Sequence, residues 1–97
     1  MSDTLGLLEE AKDLARDLGY RVREEPLGDL PGGRCTIDGA PHLLLNLEVS
    51  PAERLERLVS ALAGDARATG VPMSRALASR LAGARDRGQS APGTAPA

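Results

Sequence analysis

Aromatic side chains are almost absent from this 97-residue sequence, which contains one Tyr and neither Phe nor Trp. Proteins that bind single-stranded nucleic acid commonly stack the bases on aromatic rings, and this sequence lacks such platforms. The core must instead be built from aliphatic side chains, mainly those of Leu and Ala.

Cysteine and histidine are equally scarce, with one of each in the chain. A single cysteine cannot form an internal disulfide, and a single histidine cannot supply a multi-histidine metal site. We therefore expect no cofactor and no metal site. The sequence also shows no basic segment followed by an apolar leader and no membrane span, so we expect a cytoplasmic protein.

The remaining composition is typical of a folded domain, because 41% of the residues are apolar, 27% are charged and the net charge is −2. The length allows one small domain, which we assign to residues 1–87. Residues 88–97 are rich in Gly, Ala, Pro and Ser, and we predict that they form a disordered tail.

The first predicted element is a helix over Asp3–Leu18, where apolar residues such as Leu5 recur at helical spacing. Charged residues, including Lys12, fill the opposite face of this helix in the prediction. Gly19 follows at the position where a helix commonly ends in a left-handed residue.

Three strands are predicted next, over Tyr20–Glu24, Arg34–Asp38 and His42–Glu48, because apolar and polar residues alternate there. A tight turn around Gly39-Ala40 joins the last two strands into a hairpin. Together with the helices, these strands predict an α+β fold with a three-stranded, mostly antiparallel sheet.

The two faces of the predicted hairpin are both partly apolar, since side chains alternate between the faces of a strand. One face would carry Cys35, Ile37, His42 and Leu44, and the other would carry Leu43, Leu45 and Leu47. The helices can cover one face, and the other face needs a further partner. The sequence leaves open which face that is, so all the apolar members form the candidate interface: Cys35, Ile37, Leu43, Leu44, Leu45 and Leu47.

Two helices complete the prediction. The first begins at Ser50, where Ser50-Pro51-Ala52-Glu53 has the pattern of a capping box, and it ends at Gly64. The second covers Ser74–Asp86 and carries several arginines at irregular spacing. A basic helix of this kind could contact a phosphate or an acidic partner, but the scatter of its arginines is typical of a solvated face.

A leucine-rich strand that leads into a capped helix resembles the core of the ImmA/IrrE zinc-peptidase family. The resemblance covers about residues 5–64 and rests on Leu43-Leu44-Leu45-Asn46 followed by Ser50-Pro51. In that family the helix carries an H-E-x-x-H motif, which binds zinc and supplies a general base. The matching positions here are Ser60, Ala61, Leu62, Ala63 and Gly64. None of these residues can ligate zinc or act as the base, so the resemblance implies a peptidase-like scaffold without peptidase chemistry.

Cys35 and His42 are the remaining residues with reactive side chains. The hairpin predicted above places Ile37 opposite His42 and Cys35 opposite Leu44, which leaves the thiol and the imidazole about two residue pairs apart. This separation exceeds the hydrogen-bond distance that a Cys–His nucleophile needs, so we expect structural roles for both residues.

These observations favour a non-catalytic interaction or regulatory module that forms a homodimer or docks on another bacterial protein. The alternative is a nucleic-acid-associated regulator that uses the arginine-rich last helix. The shortage of aromatic residues and the acidic first third of the chain weigh against that alternative.

Overall fold

The computed structural model describes residues 3–30 and 32–89. Its elements confirm the α+β fold class, and they run in this order: α1 (Thr4–Asp17), β1 (Arg21–Glu25), β2 (Gly33–Ile37), β3 (Ala40–Asn46), α2 (Pro51–Ala63), a short 3₁₀ helix (Ala66–Ala68) and α3 (Arg75–Gln89). Helix α3 therefore continues two residues into the segment predicted as a tail. Residues 90–97 of that segment lie outside the described residues.

The sheet has the strand order β1-β3-β2, with β3 in the centre. Strand β2 pairs with β3 in antiparallel fashion, as the hairpin prediction requires, whereas β1 pairs with β3 in parallel. The sheet is therefore mixed. The connection from β1 to β2, residues 26–32, must cross from one edge of the sheet to the other past the carboxyl end of β3.

The hairpin turn is Asp38-Gly39, one residue earlier than the sequence predicted. Asp38 has φ 52° and Gly39 has φ 81°, which is the pair of positive angles that a type I′ turn requires. Aspartate and glycine tolerate these angles better than the predicted Gly39-Ala40 pair would. Ile37 consequently pairs with Ala40, and every residue pair along the hairpin differs from the predicted one.

The core lies between one face of the sheet and the three helices. Leu43 and Leu45 of β3 are 1% and 2% exposed, respectively, and they belong to one cluster with buried residues of α1, α2 and α3. The helical members of that cluster are mostly leucines: Leu7, Leu8, Ala11, Leu14, Ala15, Leu55, Leu58, Val59, Leu62, Leu77, Leu81 and Ala84. The face of the sheet that carries Leu43 and Leu45 is therefore the inner face.

The predicted boundaries of α2 are confirmed by its caps. The backbone N–H of Glu53 donates to the Ser50 hydroxyl at 3.1 Å, Pro51 occupies the first helical turn, and Gly64 follows the last helical residue. These local interactions satisfy groups that a helix end leaves unpaired.

Two residues of α1 lie differently from the prediction. Lys12 was placed on the solvent face but is 5% exposed, and its ammonium group contacts Glu9 at 2.6 Å and Glu24 of β1 at 3.1 Å. The aliphatic part of the Lys12 side chain is buried, and the ammonium group at its end is paired with the two carboxylates. Leu5 was placed in the buried stripe but is 61% exposed, in the first turn of α1.

Candidate interaction face

The outer face of the hairpin carries no charged side chain. Its residues form three directly opposed pairs, and paired residues project to the same side of a sheet. The pairs are Ile37 with Ala40, Cys35 with His42, and Gly33 with Leu44. They alternate along β3 with Leu43 and Leu45, so they lie on the side opposite the helices. We call these six residues the hairpin face.

The structure divides the six predicted interface residues into two groups. Leu43 and Leu45 are core residues, and the helices cover them. Cys35 and Leu44 are half-buried on the hairpin face, and Ile37 is 37% exposed there. Leu47 lies just past the end of β3 and is 45% exposed. The helices therefore cover the face with Leu43 and Leu45, and the face with Cys35, Ile37 and Leu44 is the outer one.

Charged residues border the hairpin face along β1. Arg21 and Arg23 lie beside His42 and Leu44 in the parallel pairing, and both are exposed. The Arg23 guanidinium forms an ion pair with the Glu25 carboxylate at 2.6 Å. The border is thus polar and partly neutralised within the chain.

Asn46 holds the described part of the loop that follows β1 at the carboxyl end of β3. Its side-chain oxygen accepts hydrogen bonds from the backbone N–H groups of Leu27 at 3.0 Å and Glu48 at 2.9 Å. Its amide nitrogen donates to the backbone carbonyls of Gly28 at 3.0 Å and Leu30 at 3.2 Å. Sequence reasoning assigned Asn46 only to the family resemblance and missed this role, which depends on contacts distant in the chain.

Cys35 and His42 lie directly opposite one another, contrary to the separation predicted from the sequence. Directly opposed residues of an antiparallel pair have Cβ atoms about 4.5–5.5 Å apart. His42 is 6% exposed, and its Nδ1 atom lies 3.0 Å from the backbone oxygen of Ala40. The thiol and the imidazole therefore share the central pair of the hairpin face.

A second polar cluster lies away from this face, around the single aromatic residue. The Tyr20 hydroxyl donates to the Asp65 carboxylate at 2.8 Å, and Arg67 reaches the same carboxylate through Nη2 at 2.6 Å and Nε at 3.0 Å. Arg67 also donates to the backbone oxygen of Leu18 at 2.9 Å. The cluster joins the segment after α2 to the end of α1. The sequence alone gives little indication of this cluster, because Tyr20 and Asp65 are 45 residues apart and the only local feature of Asp65 is that it caps the short 3₁₀ helix.

The Asp65 carboxylate makes the stability of the fold depend on pH. The ordinary pKa of an aspartate carboxyl is about 3.8, and hydrogen bonds from Arg67 and Tyr20 hold the pKa of Asp65 well below that value. A lowered pKa in the folded chain stabilises the fold fully above the usual pKa. The stabilisation then declines as the pH falls, and it is lost only as the pH passes through the lowered pKa.

We therefore expect the substitution Asp65→Asn to reduce the free energy of unfolding at pH 7 and to reduce it by a smaller amount at about pH 2, because the stabilisation declines as the pH approaches the lowered pKa of the folded chain. Urea unfolding of both proteins at the two pH values measures the difference, and the comparison cancels the titration of the other carboxylates. An effect of Asp65→Asn that is equal at the two pH values would contradict the assigned ion pair.

The positions that match the peptidase motif lie at the end of α2. Leu62 is buried in the core, Ser60 and Gly64 are exposed, and Ala61 and Ala63 are half-buried. In the described part of the chain, no group of three or more His, Cys, Asp or Glu side chains is arranged to hold a metal ion.

The arginines of α3 do not form one continuous surface. Arg80 and Arg87 line a groove of about 370 Å³ between α2 and α3, which they share with Glu56. Arg75 lies at the start of the helix and is exposed, whereas Arg85 is half-buried. The acidic residue in the groove reduces its attraction for phosphate.

Comparison of the chain with known protein families, with curated proteins and with solved structures finds no match. None of the helices in residues 3–30 and 32–89 has the length and apolar character needed to cross a membrane.

Proposed function

We propose that this chain is a non-catalytic interaction module that pairs with a second copy of itself through the hairpin face. The observation that supports this proposal is the distribution of charge on the sheet. The hairpin face is uncharged, while the charged residues of the outer side, such as Arg21 and Arg23, lie along its β1 border. Protein interfaces have this arrangement, with an uncharged centre and a polar rim.

A second copy suits the face because a two-fold dimer uses the same patch on both chains. Ile37 and Leu30 are both large exposed apolar residues, at 37% and 65% exposure. The backbone carbonyl of Leu30 accepts a hydrogen bond from Asn46, which lies two residues beyond Leu44 on β3. Burial of an apolar side chain stabilises an assembly by up to about 1.5–3 kcal/mol, and a symmetric contact counts each residue twice.

The charge on the β1 border is partly neutralised within each chain. Arg23 is paired with Glu25, whereas Arg21 is exposed beside His42, so its guanidinium must stay in solvent at the rim of the contact. The proposal assigns no catalytic step, in agreement with the residues at the motif positions of α2, Ser60 to Gly64.

We expect the unmodified chain to have the mass of two chains at micromolar concentration and the variant Ile37→Glu to have the mass of one. The substitution would place a desolvated carboxylate in both halves of the contact, and the two carboxylates would repel each other. Light scattering during size-exclusion chromatography measures both masses.

Leu5→Glu provides the matched control, because Leu5 is another exposed apolar residue but lies on α1. This variant should remain a dimer. Equal masses for Ile37→Glu and Leu5→Glu would show that the hairpin face is not the contact, and a monomeric unmodified chain would overturn the proposal itself.

A further inference from the structure

We infer that the dimer holds one divalent transition-metal ion of the zinc type, ligated by Cys35 and His42 of both copies. The inference rests on the proposed pairing through the hairpin face. It also revises the sequence-based view of these two residues, because that view depended on a hairpin register that the structure does not have.

The position of the pair is the first argument. Cys35 and His42 form the middle one of the three residue pairs on the hairpin face, between the pair at Ile37 and the pair at Gly33. A two-fold axis that lies between the two sheets and passes over this middle pair brings four side chains to one point: two thiols and two imidazoles.

The orientation of His42 is the second argument. Its Nδ1 atom lies 3.0 Å from the Ala40 carbonyl oxygen, and a carbonyl can only accept, so Nδ1 carries the proton and donates it. The lone pair of the imidazole is then on Nε2, which makes no hydrogen bond within the described residues. Metal-binding histidines are commonly held in this way, with the second ring nitrogen donating to a backbone carbonyl.

The number and chemistry of the ligands are the third argument. Structural zinc sites are almost always tetrahedral and commonly combine two cysteines with two histidines. One chain supplies half of that set, and among residues 3–30 and 32–89 no third ligand completes it within the chain. The two Cys35 thiols lose their protons to solvent on binding, and the two thiolate charges neutralise the ion.

The spacing of packed sheets is compatible with such a site. Sheets that pack face to face are about 10 Å apart, so an ion midway between them lies about 5 Å from each backbone. Zinc binds a thiolate at about 2.3 Å and an imidazole nitrogen at about 2.0–2.1 Å, which both side chains can satisfy from opposite strands.

The test is a titration of the full chain with Zn²⁺ in the presence of a phosphine reductant, which keeps Cys35 from forming a disulfide. Calorimetry should give one zinc for two chains. Treatment with a chelator should raise the dissociation constant of the dimer, so that a higher protein concentration is needed to keep the two chains together. Replacing Zn²⁺ by Co²⁺ in the unmodified chain should give the absorption bands of a tetrahedral cobalt site with thiolate ligands.

Cys35→Ala and His42→Gln should each abolish the cobalt bands, whereas Thr36→Ala, an exposed residue of the same strand on the other face, should retain them. A chain that dimerises through the hairpin face without binding either metal would overturn the metal site and leave the proposed function intact. A chain that stays monomeric with and without metal would overturn both. One metal per chain retained in the monomeric Ile37→Glu variant would also contradict a site shared between copies.

Discussion

Replacing Leu45 by alanine is expected to destabilise the fold by about 2–5 kcal/mol, because it leaves a cavity among tightly packed leucines. Leu45 is 2% exposed and lies between β3 and the helices. Small domains unfold with only about 5–15 kcal/mol, so the variant should lose a large part of its stability. Chemical denaturation followed by circular dichroism measures the change.

Leu44→Ala is the matched control, since Leu44 is the preceding residue on the opposite face of the same strand. At concentrations low enough for the chain to be monomeric, this variant should lose much less stability than Leu45→Ala. The reverse order would mean that the inner and outer faces of the sheet have been exchanged. Leu45 was one of the six candidate interface residues named from the sequence, and the structure places it in the core. A carboxylate at this buried position should prevent folding.

Asn46→Ala is the second substitution with a large expected effect. The side chain is 3% exposed and forms four hydrogen bonds to the backbone of the crossing loop and of the turn after β3. Each buried donor or acceptor that loses its partner costs about 1–3 kcal/mol. We expect a loss of stability above that of a typical surface substitution, together with faster amide hydrogen exchange at Leu27 and Glu48.

Asn46→Asp separates the two halves of this network. The aspartate retains an oxygen that can accept from Leu27 and Glu48, but it places a second oxygen toward the carbonyls of Gly28 and Leu30. The variant should therefore retain protection at the two N–H groups better than Asn46→Ala does while remaining less stable than the unmodified chain. A fully stable Asn46→Asp would show that the carbonyl contacts contribute little.

The elements that sequence reasoning predicted best are those with local signals. Helix α2 is the clearest example, because the Ser50 cap, Pro51 and Gly64 act within a few residues of the ends that they define. The hairpin was predicted at the right place for a similar reason. Its predicted register was wrong because the turn was assigned to Gly39-Ala40, whereas Asp38-Gly39 is the pair that a type I′ turn favours.

The features that could not be predicted depend on contacts between distant parts of the chain. The parallel pairing of β1 with β3 joins segments about 20 residues apart, and the contacts of Asn46 with Leu27, Gly28 and Leu30 also span such distances. The ammonium group of the buried Lys12 is paired with Glu24 of β1, which is distant in the chain. The polar cluster at Asp65 likewise depends on a hydrogen bond from Tyr20, 45 residues away. None of these pairs has a sequence pattern that distinguishes it from ordinary charged residues.

The hairpin face was predicted in part from local signals, and the rest depended on contacts between distant parts of the chain. The alternation along β3 correctly separated Leu44 from Leu43 and Leu45, but only the positions of the helices decide which set faces outward. The opposition of Cys35 and His42 follows from the Asp38-Gly39 turn, and the prediction of a Gly39-Ala40 turn missed it although Asp-Gly is a favoured type I′ pair.

The most direct test of the account is to identify which residues of two copies touch. Isotope-filtered nuclear Overhauser spectroscopy on a dimer mixed from labelled and unlabelled chains detects only contacts between chains. The account predicts intermolecular contacts at the methyl groups of Ile37 and Leu44 and none at those of Leu5 or Leu45. Intermolecular contacts confined to the helices, or none in a sample that has the mass of one chain, would contradict it.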